Sequence, residues 1–180
     1  MVFVGLEFGL WKKEGGIVAL DLMTGEKKWW QQGETMTHSS PVYSDAHKIV
    51  IVGSTAGAVS AYSAVNGKLL WTYATGGAVR AGFAVDEKRG LVCFGSGDKY
   101  IYVLRTKTGE QVHKVETLEP VYSTPLVDDG NLFFGLLDKR VMCIDLDSGA
   151  VRWTFMTSSR VFAGPLMAEG RLYIGGNDGR

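Results

Sequence analysis

IVALDLMTGEKKW, residues Ile17–Trp29, is a phrase that the chain repeats almost to its end. It returns as VSAYSAVNGKLLW (Val59–Trp71), IYVLRTKTGEQVH (Ile101–His113) and VMCIDLDSGAVRW (Val141–Trp153). Gly25, Gly67, Gly109 and Gly149 hold the same place in each copy and lie 42, 42 and 40 residues apart. A period of that length marks a supersecondary unit that cannot bury its own faces alone and is stacked on copies of itself.

Outward from the phrase, each repeat supplies two more apolar segments. One begins with small residues: HSSPVY (His38–Tyr43), RAGFAV (Arg80–Val85), YSTPLV (Tyr122–Val127) and FAGPLM (Phe162–Met167). The other ends in glycine, as in IVIVG (Ile49–Gly53), LVCFG (Leu91–Gly95) and LFFG (Leu132–Gly135). A repeat therefore holds four short strands: A (small residues), B (ending in glycine), C (before the turn glycine) and D (carrying Trp29, Trp71 or Trp153). Strand C is apolar on both faces, with Ile17, Val59, Ile101 and Val141 on one side and Leu20, Tyr62, Leu104 and Ile144 on the other, so the sheet is covered front and back. The pattern predicts an all-β protein, a β-propeller of four-stranded antiparallel blades. The repeats run approximately over 2–48, 49–90, 91–131 and 132–171, with a fifth starting at 172–180. The pairs Ser39–Ser40, Ala81–Gly82, Ser123–Thr124 and Ala163–Gly164 suit strand A to the innermost place, where blades converge. The insertion LWKKE near Leu10–Glu14 lengthens the first B–C hairpin.

The C–D turn has its own chemistry. Its glycine permits positive φ, and Asp21 or Asp145, four residues earlier, can accept hydrogen bonds from turn N–H groups; Ser63 can do so more weakly and Arg105 cannot. Four residues after the glycine comes a ring large enough to plug the gap between blades: Trp29, Trp71 and Trp153, with His113 as a packing substitute in the third repeat.

Composition narrows the function. Nineteen basic and nineteen acidic residues cancel, leaving no overall field to hold a nucleic-acid backbone. Apolar runs are strand length, far short of the ~20 residues of a spanning helix, and the N-terminus lacks the features of a signal peptide. Cys93 and Cys143 fall in core columns and read as small hydrophobes. GSGDK and GGNDG recur at the B–C hairpin column, so they are turns rather than phosphate cradles.

ALDLMTGEKKW, with VGS and SSP spaced around it, resembles the repeat of the pyrroloquinoline-quinone (PQQ) propeller superfamily, over the whole chain. The ALD-x-x-TG-x-x-x-W signature is nearly complete in the first repeat, good in the fourth and eroded in the second and third. The resemblance implies seven or eight blades, hence a larger propeller of which this chain is part. It also implies three classes of function. Quinoprotein dehydrogenases hold PQQ and calcium in the central funnel with an acidic base; BamB-like scaffolding propellers bind other proteins; a third class is a sensor propeller fused to a kinase or other enzyme. Many such dehydrogenases also carry a disulfide between two adjacent cysteines; this chain has no adjacent cysteines, and its acids occupy turns or charged loops. The expectation is therefore a non-enzymatic, BamB-like scaffold, extracytoplasmic or periplasmic by resemblance, with no cofactor or metal. Its partners are expected to be other proteins or the rest of its own propeller. The contact residues expected are those thirteen positions after each turn glycine: His38, Arg80, Tyr122 and Phe162, ringing the mouth of the central channel. Covering the blade ends accounts for Tyr122 and Phe162; His38 and Arg80 are polar heads suited to an anionic group.

Overall fold

Each turn signal closes an antiparallel hairpin, and the hairpins join into five sheets. The structure is a computed structural model and describes residues 1–8, 14–33 and 35–177. The first sheet contains β1 (Val2–Phe8), β2 (Glu14–Leu20) and β3 (Lys27–Gly33). The second contains β4 (Val42–Ser44), β5 (Ile49–Gly53), β6 (Ala58–Ser63) and β7 (Leu69–Ala74). The third contains β8 (Phe83–Asp86), β9 (Leu91–Gly95), β10 (Tyr100–Arg105) and β11 (Gln111–Glu116). The fourth contains β12 (Leu126–Asp128), β13 (Asn131–Gly135), β14 (Arg140–Asp145) and β15 (Val151–Met156), and a last hairpin pairs β16 (Leu166–Ala168) with β17 (Arg171–Tyr173). Every sheet is antiparallel with its strands in chain order, and the short strands β4, β8, β12 and β16 lie side by side. This is the propeller architecture that the repeats predict. In the first hairpin the ladder runs out to Phe8 and Glu14; the rest of the predicted insertion, 10–13, lies outside the described residues.

The core sits between sheets. Ile17, Trp29, Val50, Val52 and Tyr62 pack together from the first and second; Ile51, Val59, Phe94 and Tyr102 from the second and third; Ile101, Val103, Phe134 and Ile144 from the third and fourth. Strands β6, β10 and β14 are thus buried on both faces, as their sequences require. Cys93 and Cys143 are free and buried in these layers, and burial pushes both thiols up from their ordinary pKa.

One contact recurs between neighbouring sheets. In every C–D pair the register shifts before the ring column, between Ala19/Leu20, Ala61/Tyr62, Val103/Leu104 and Cys143/Ile144. The extra D-strand residue is a β-bulge, which re-aims the side chain that follows. That side chain crosses to the next sheet: Trp29 Nε1 donates to the Ala64 carbonyl at 2.9 Å and Trp71 Nε1 to Thr106 at 3.0 Å. His113 Nε2 meets the Leu146 carbonyl at 3.0 Å, which requires the proton on that nitrogen. Each acceptor lies three residues before the turn glycine on which the ring rests. A Cβ on Gly67, Gly109 or Gly149 would come within 2.8, 2.7 and 2.7 Å of the ring. His113 keeps both the stacking and the hydrogen bond of the tryptophans. Trp29 is 8% exposed; Trp153, in the same column of β15, is 41% exposed.

The turn is locked locally. Asp21 Oδ1 accepts from the Met23 and Thr24 N–H groups at 3.0 and 3.1 Å, and Asp145 Oδ1 from those of Asp147 and Ser148 at 3.0 and 2.7 Å. In the second repeat Ser63 contributes only its backbone, and the side chain of Asn66 accepts from Lys68 instead, because its carbonyl reaches two residues on.

Two outcomes follow from this geometry. Gly25 and Gly67 share nearly the same φ, 71° and 75°, but nothing lies within 4 Å of a Cβ on Gly25. Gly25→Ala should cost about 1–2 kcal/mol of unfolding free energy from left-handed strain, and Gly67→Ala a further ~1–3 kcal/mol from displacing Trp29; equal costs in a denaturant titration would remove the ring from its assigned place. The second concerns pH. The Ser148 N–H and the Arg152 guanidinium hold the Asp145 carboxyl well below the usual carboxylate range. A depressed folded pKa gives stability that is present above the unfolded value of about 3.9 and is lost as pH falls toward the folded one. Wild type should melt above Asp145→Asn at pH 7, with the gap closing below about pH 4.

Candidate functional site

The B–C hairpins and the loops from strand D to the next strand A meet at one end of the sheets, tied by two repeated devices. The first is a threonine after strand D: Thr75 Oγ1 lies 2.9 and 2.7 Å from the carbonyls of Gly57 and Gly77. Thr117 does the same for Lys99 and Glu119, at 2.8 and 2.7 Å, and Thr157 for Lys139 and Ser159, both at 2.7 Å. The second is a valine in the D–A loop. Val79, Val121 and Val161 are buried, and their N–H groups donate to Ser54, Ser96 and Leu136. Each presses on the glycine that ends strand B, so a Cβ on Gly53, Gly95 or Gly135 would lie 2.4, 2.4 or 2.1 Å from it.

After the valine comes the candidate contact residue, and after that a small residue turned inward. Ser39 and Ser123 are buried, each Oγ accepting from the N–H of Gly53 or Gly135 and donating to the carbonyl of the same glycine. Ala81, without a hydroxyl, is buried in the second repeat. Residues 38, 80, 122 and 162 lie outside the strands, each just before a bend. Arg80 is exposed, with no hydrogen bond or ion pair among the described residues, and Phe162 is exposed as well. Tyr122 is half-buried, its hydroxyl leaning over Gly97. His38 is exposed, with Nε2 2.9 Å from Glu7 Oε1 of the first B–C hairpin. Only His38 is thus engaged by a carboxylate. The threonine, valine and serine columns were present in the sequence as repeated letters at fixed offsets from the turn glycine; without the fold they carried no role.

Four of the aspartates, Asp86, Asp98, Asp138 and Asp147, are committed elsewhere. Asp98 Oδ2 accepts from the Tyr102 hydroxyl at 2.6 Å and the Gly76 N–H at 2.7 Å, and Asp138 Oδ2 from Arg140 Nε at 2.7 Å. Arg89 bridges Asp86 of its own A–B turn to Asp147 of the next C–D turn, at 3.1 and 2.8 Å. Among the described residues no three His, Cys, Asp or Glu side chains converge. Acids paired with arginine or capping turns do not fit the convergent oxygen set that a calcium-held quinone requires. Addition of PQQ with calcium is therefore expected to leave the melting temperature unchanged; a rise that grows with ligand concentration would assign the cofactor to this chain.

A family model described as outer membrane protein assembly factor BamB matches residues 13–124 and 101–180. Among solved structures, BamB from Moraxella catarrhalis superposes with a TM-score of 0.77 at 18% identity, over 98% of this chain and 57% of that one. Saccharomyces cerevisiae Sqt1 superposes with 0.77 at 15% identity, over 99% and 57%. The computationally designed Ika8 protein gives 0.79 at 17% identity, over 97% and 55%. Of curated sequences, the beta-alanine-activating enzyme of Drosophila melanogaster is 27% identical over 186 residues, which is 92% of this chain and 18% of the relative. The chain thus spans little more than half of the similar structures and less than a fifth of the curated relative.

Proposed function

The chain belongs to the family described as outer membrane protein assembly factor BamB, and on that premise we propose that it is a non-enzymatic, protein-binding or assembly scaffold. The observation that carries this reading is a contrast within one column. The backbone at His38, Arg80, Tyr122 and Phe162 is pinned in each repeat by the D–A loop residue before it, Thr37 in the first and a valine in the others, and followed by a small one. The side chains it displays are an imidazole, a guanidinium, a phenol and a phenyl ring. A constant frame with varied chemistry on one end suits recognition of an irregular partner surface, and the guanidinium of Arg80, unpaired among the described residues, suits a carboxylate on it.

The outer strand supports a second kind of contact. Val151, Trp153, Phe155 and Met156 of β15 are exposed, and the indole N–H of Trp153 has no acceptor among the described residues. The same column docks on a turn glycine in each earlier sheet, so the proposed occupant is a further blade of a larger, seven- or eight-bladed propeller. A periplasmic, extracytoplasmic location goes with the family reading. The match to the beta-alanine-activating enzyme favours a second reading, in which these repeats are the accessory propeller of a larger enzyme.

The experiment is capture of partners by the full-length native protein, comparing wild type with the Arg80→Ala/His38→Ala double variant. Captured protein should fall at least about fivefold, ~1 kcal/mol, with the melting temperature unchanged. Undiminished capture, or loss that merely follows unfolding, would return the column to covering the blade ends. The mass of the native polypeptide on the same gel separates the two readings, since an accessory propeller travels with its enzyme.

A further inference from the structure

Between the first and second blades the sequence places small side chains where later blades have large ones. Val52 stands where the third blade has Phe94, Ala56 where it has Asp98, Ala58 where it has Tyr100 and Ser60 where it has Tyr102. Between the second and third blades those large groups fill the space. The Tyr102 ring stacks on Phe94 with centroids 5.4 Å apart and planes at 11°, meets Tyr73 edge-on at 5.6 Å, and its hydroxyl reaches Asp98 at 2.6 Å. Between the third and fourth blades Phe134, Met142 and Arg140 take the same columns, with Arg140 held by Asp138 and the Thr117 carbonyl. Between the first and second, a cavity of about 310 Å³ remains, lined by all four small residues. Its volume falls within the range of about 300–1,000 Å³ of small-ligand pockets, and it opens to solvent past the exposed Gln32, Ala56, Leu69 and Thr72.

The cavity also carries a polar group that later blades lack. Thr37 occupies the column of Val79, Val121 and Val161; it is 9% exposed, lines the cavity, and its hydroxyl has no hydrogen-bond partner among the described residues. The side chains of Ser60 and Tyr62 line the same space, also without hydrogen bonds among the described residues, and no described lining residue is charged. Room for a ring and, among the described residues, a row of unpaired hydroxyls and no charge define the occupant.

We propose that the space between the first and second blades is a binding site for a small, uncharged aromatic ligand bearing a hydroxyl: a phenol of the shape that Tyr102 supplies one blade further on. The Tyr102 side chain is itself the reference, since it occupies the equivalent space as a ring stacked between blades with its hydroxyl hydrogen-bonded. The same chemistry can come from a free phenol or from a tyrosine presented by a polypeptide.

The test is titration of the purified protein with p-cresol, read by calorimetry. Saturable one-to-one binding is expected, and Ser60→Tyr, which rebuilds the plug of the third blade, should weaken it at least tenfold. Ser60→Met copies Met142 of the fourth blade and gives a second plugged variant should tyrosine overpack the site. Thr37→Val should weaken p-cresol about tenfold while leaving toluene unchanged, a signature of a lost hydrogen bond rather than altered packing. Titration with N-acetyl-tyrosinamide in parallel assigns the source: affinity equal to or above that of p-cresol points to a tyrosine on a polypeptide, and weaker binding to a free phenol. No saturation by wild type with either probe, or folded plugged variants that bind as wild type does, would overturn the site.

Discussion

A ring resting on a left-handed glycine holds each blade to the next. The glycine is required twice over, because its φ lies between 71° and 75° in the four C–D turns and because, in the three turns that receive a ring, a Cβ would collide with it. The ring in turn must find an acceptor for its N–H, and the carbonyl three residues before the glycine is in place for it. Tight turn, bulge and plug are therefore one device. This is why His113 serves in a tryptophan column: what the contact demands is a flat group with one N–H, and the imidazole satisfies both parts with less area.

A matching constraint works at the other end. The B-strand glycine makes room for the D–A loop residue, Thr37 or a valine, and where a serine follows two residues later it closes the backbone of the next blade's B-strand glycine: Thr37 lies on Gly5 and Ser39 binds Gly53, Val121 lies on Gly95 and Ser123 binds Gly135. With its neighbours turned inward, the residue between them is displayed whatever its chemistry. The frame is thus indifferent to what it presents, which is the property a scaffold needs. The first repeat departs from this rule at two adjacent residues. Thr37 stands for the valine, and His38 is drawn to Glu7 of the extended first hairpin.

Variation inside the propeller follows a different logic from variation on its rim. Between blades, large side chains from the facing strands substitute for one another as long as the volume is filled: Tyr102 with Asp98 in one gap, Met142 with Arg140 and Asp138 in the next. Between the first and second blades Val52, Ala56, Ala58 and Ser60 replace those large groups, and there the packing gives way to a hydroxyl-lined cavity. One repeat architecture therefore offers two distinct surfaces for recognition, an outward ring of side chains and an open cleft between two blades.

The sequence by itself determined the strands, their order within each sheet, the glycine turns and the plug column including His113. All of these rest on local rules: alternation along a strand, the φ that glycine permits, and a period that repeats. It also located His38, Arg80, Tyr122 and Phe162 by their offset from the turn glycine. What only the tertiary structure decided were contacts between residues far apart in the chain. The bulge that aims the rings, the valine behind each B-strand glycine, the threonine between two carbonyls and the pairing of His38 with Glu7 are all of this kind. The cavity is the clearest case. Val52, Ala56, Ala58 and Ser60 are unremarkable strand and turn residues one at a time, and their joint smallness acquires meaning only when the sheets stack at fixed spacing and nothing on the facing blade fills the room.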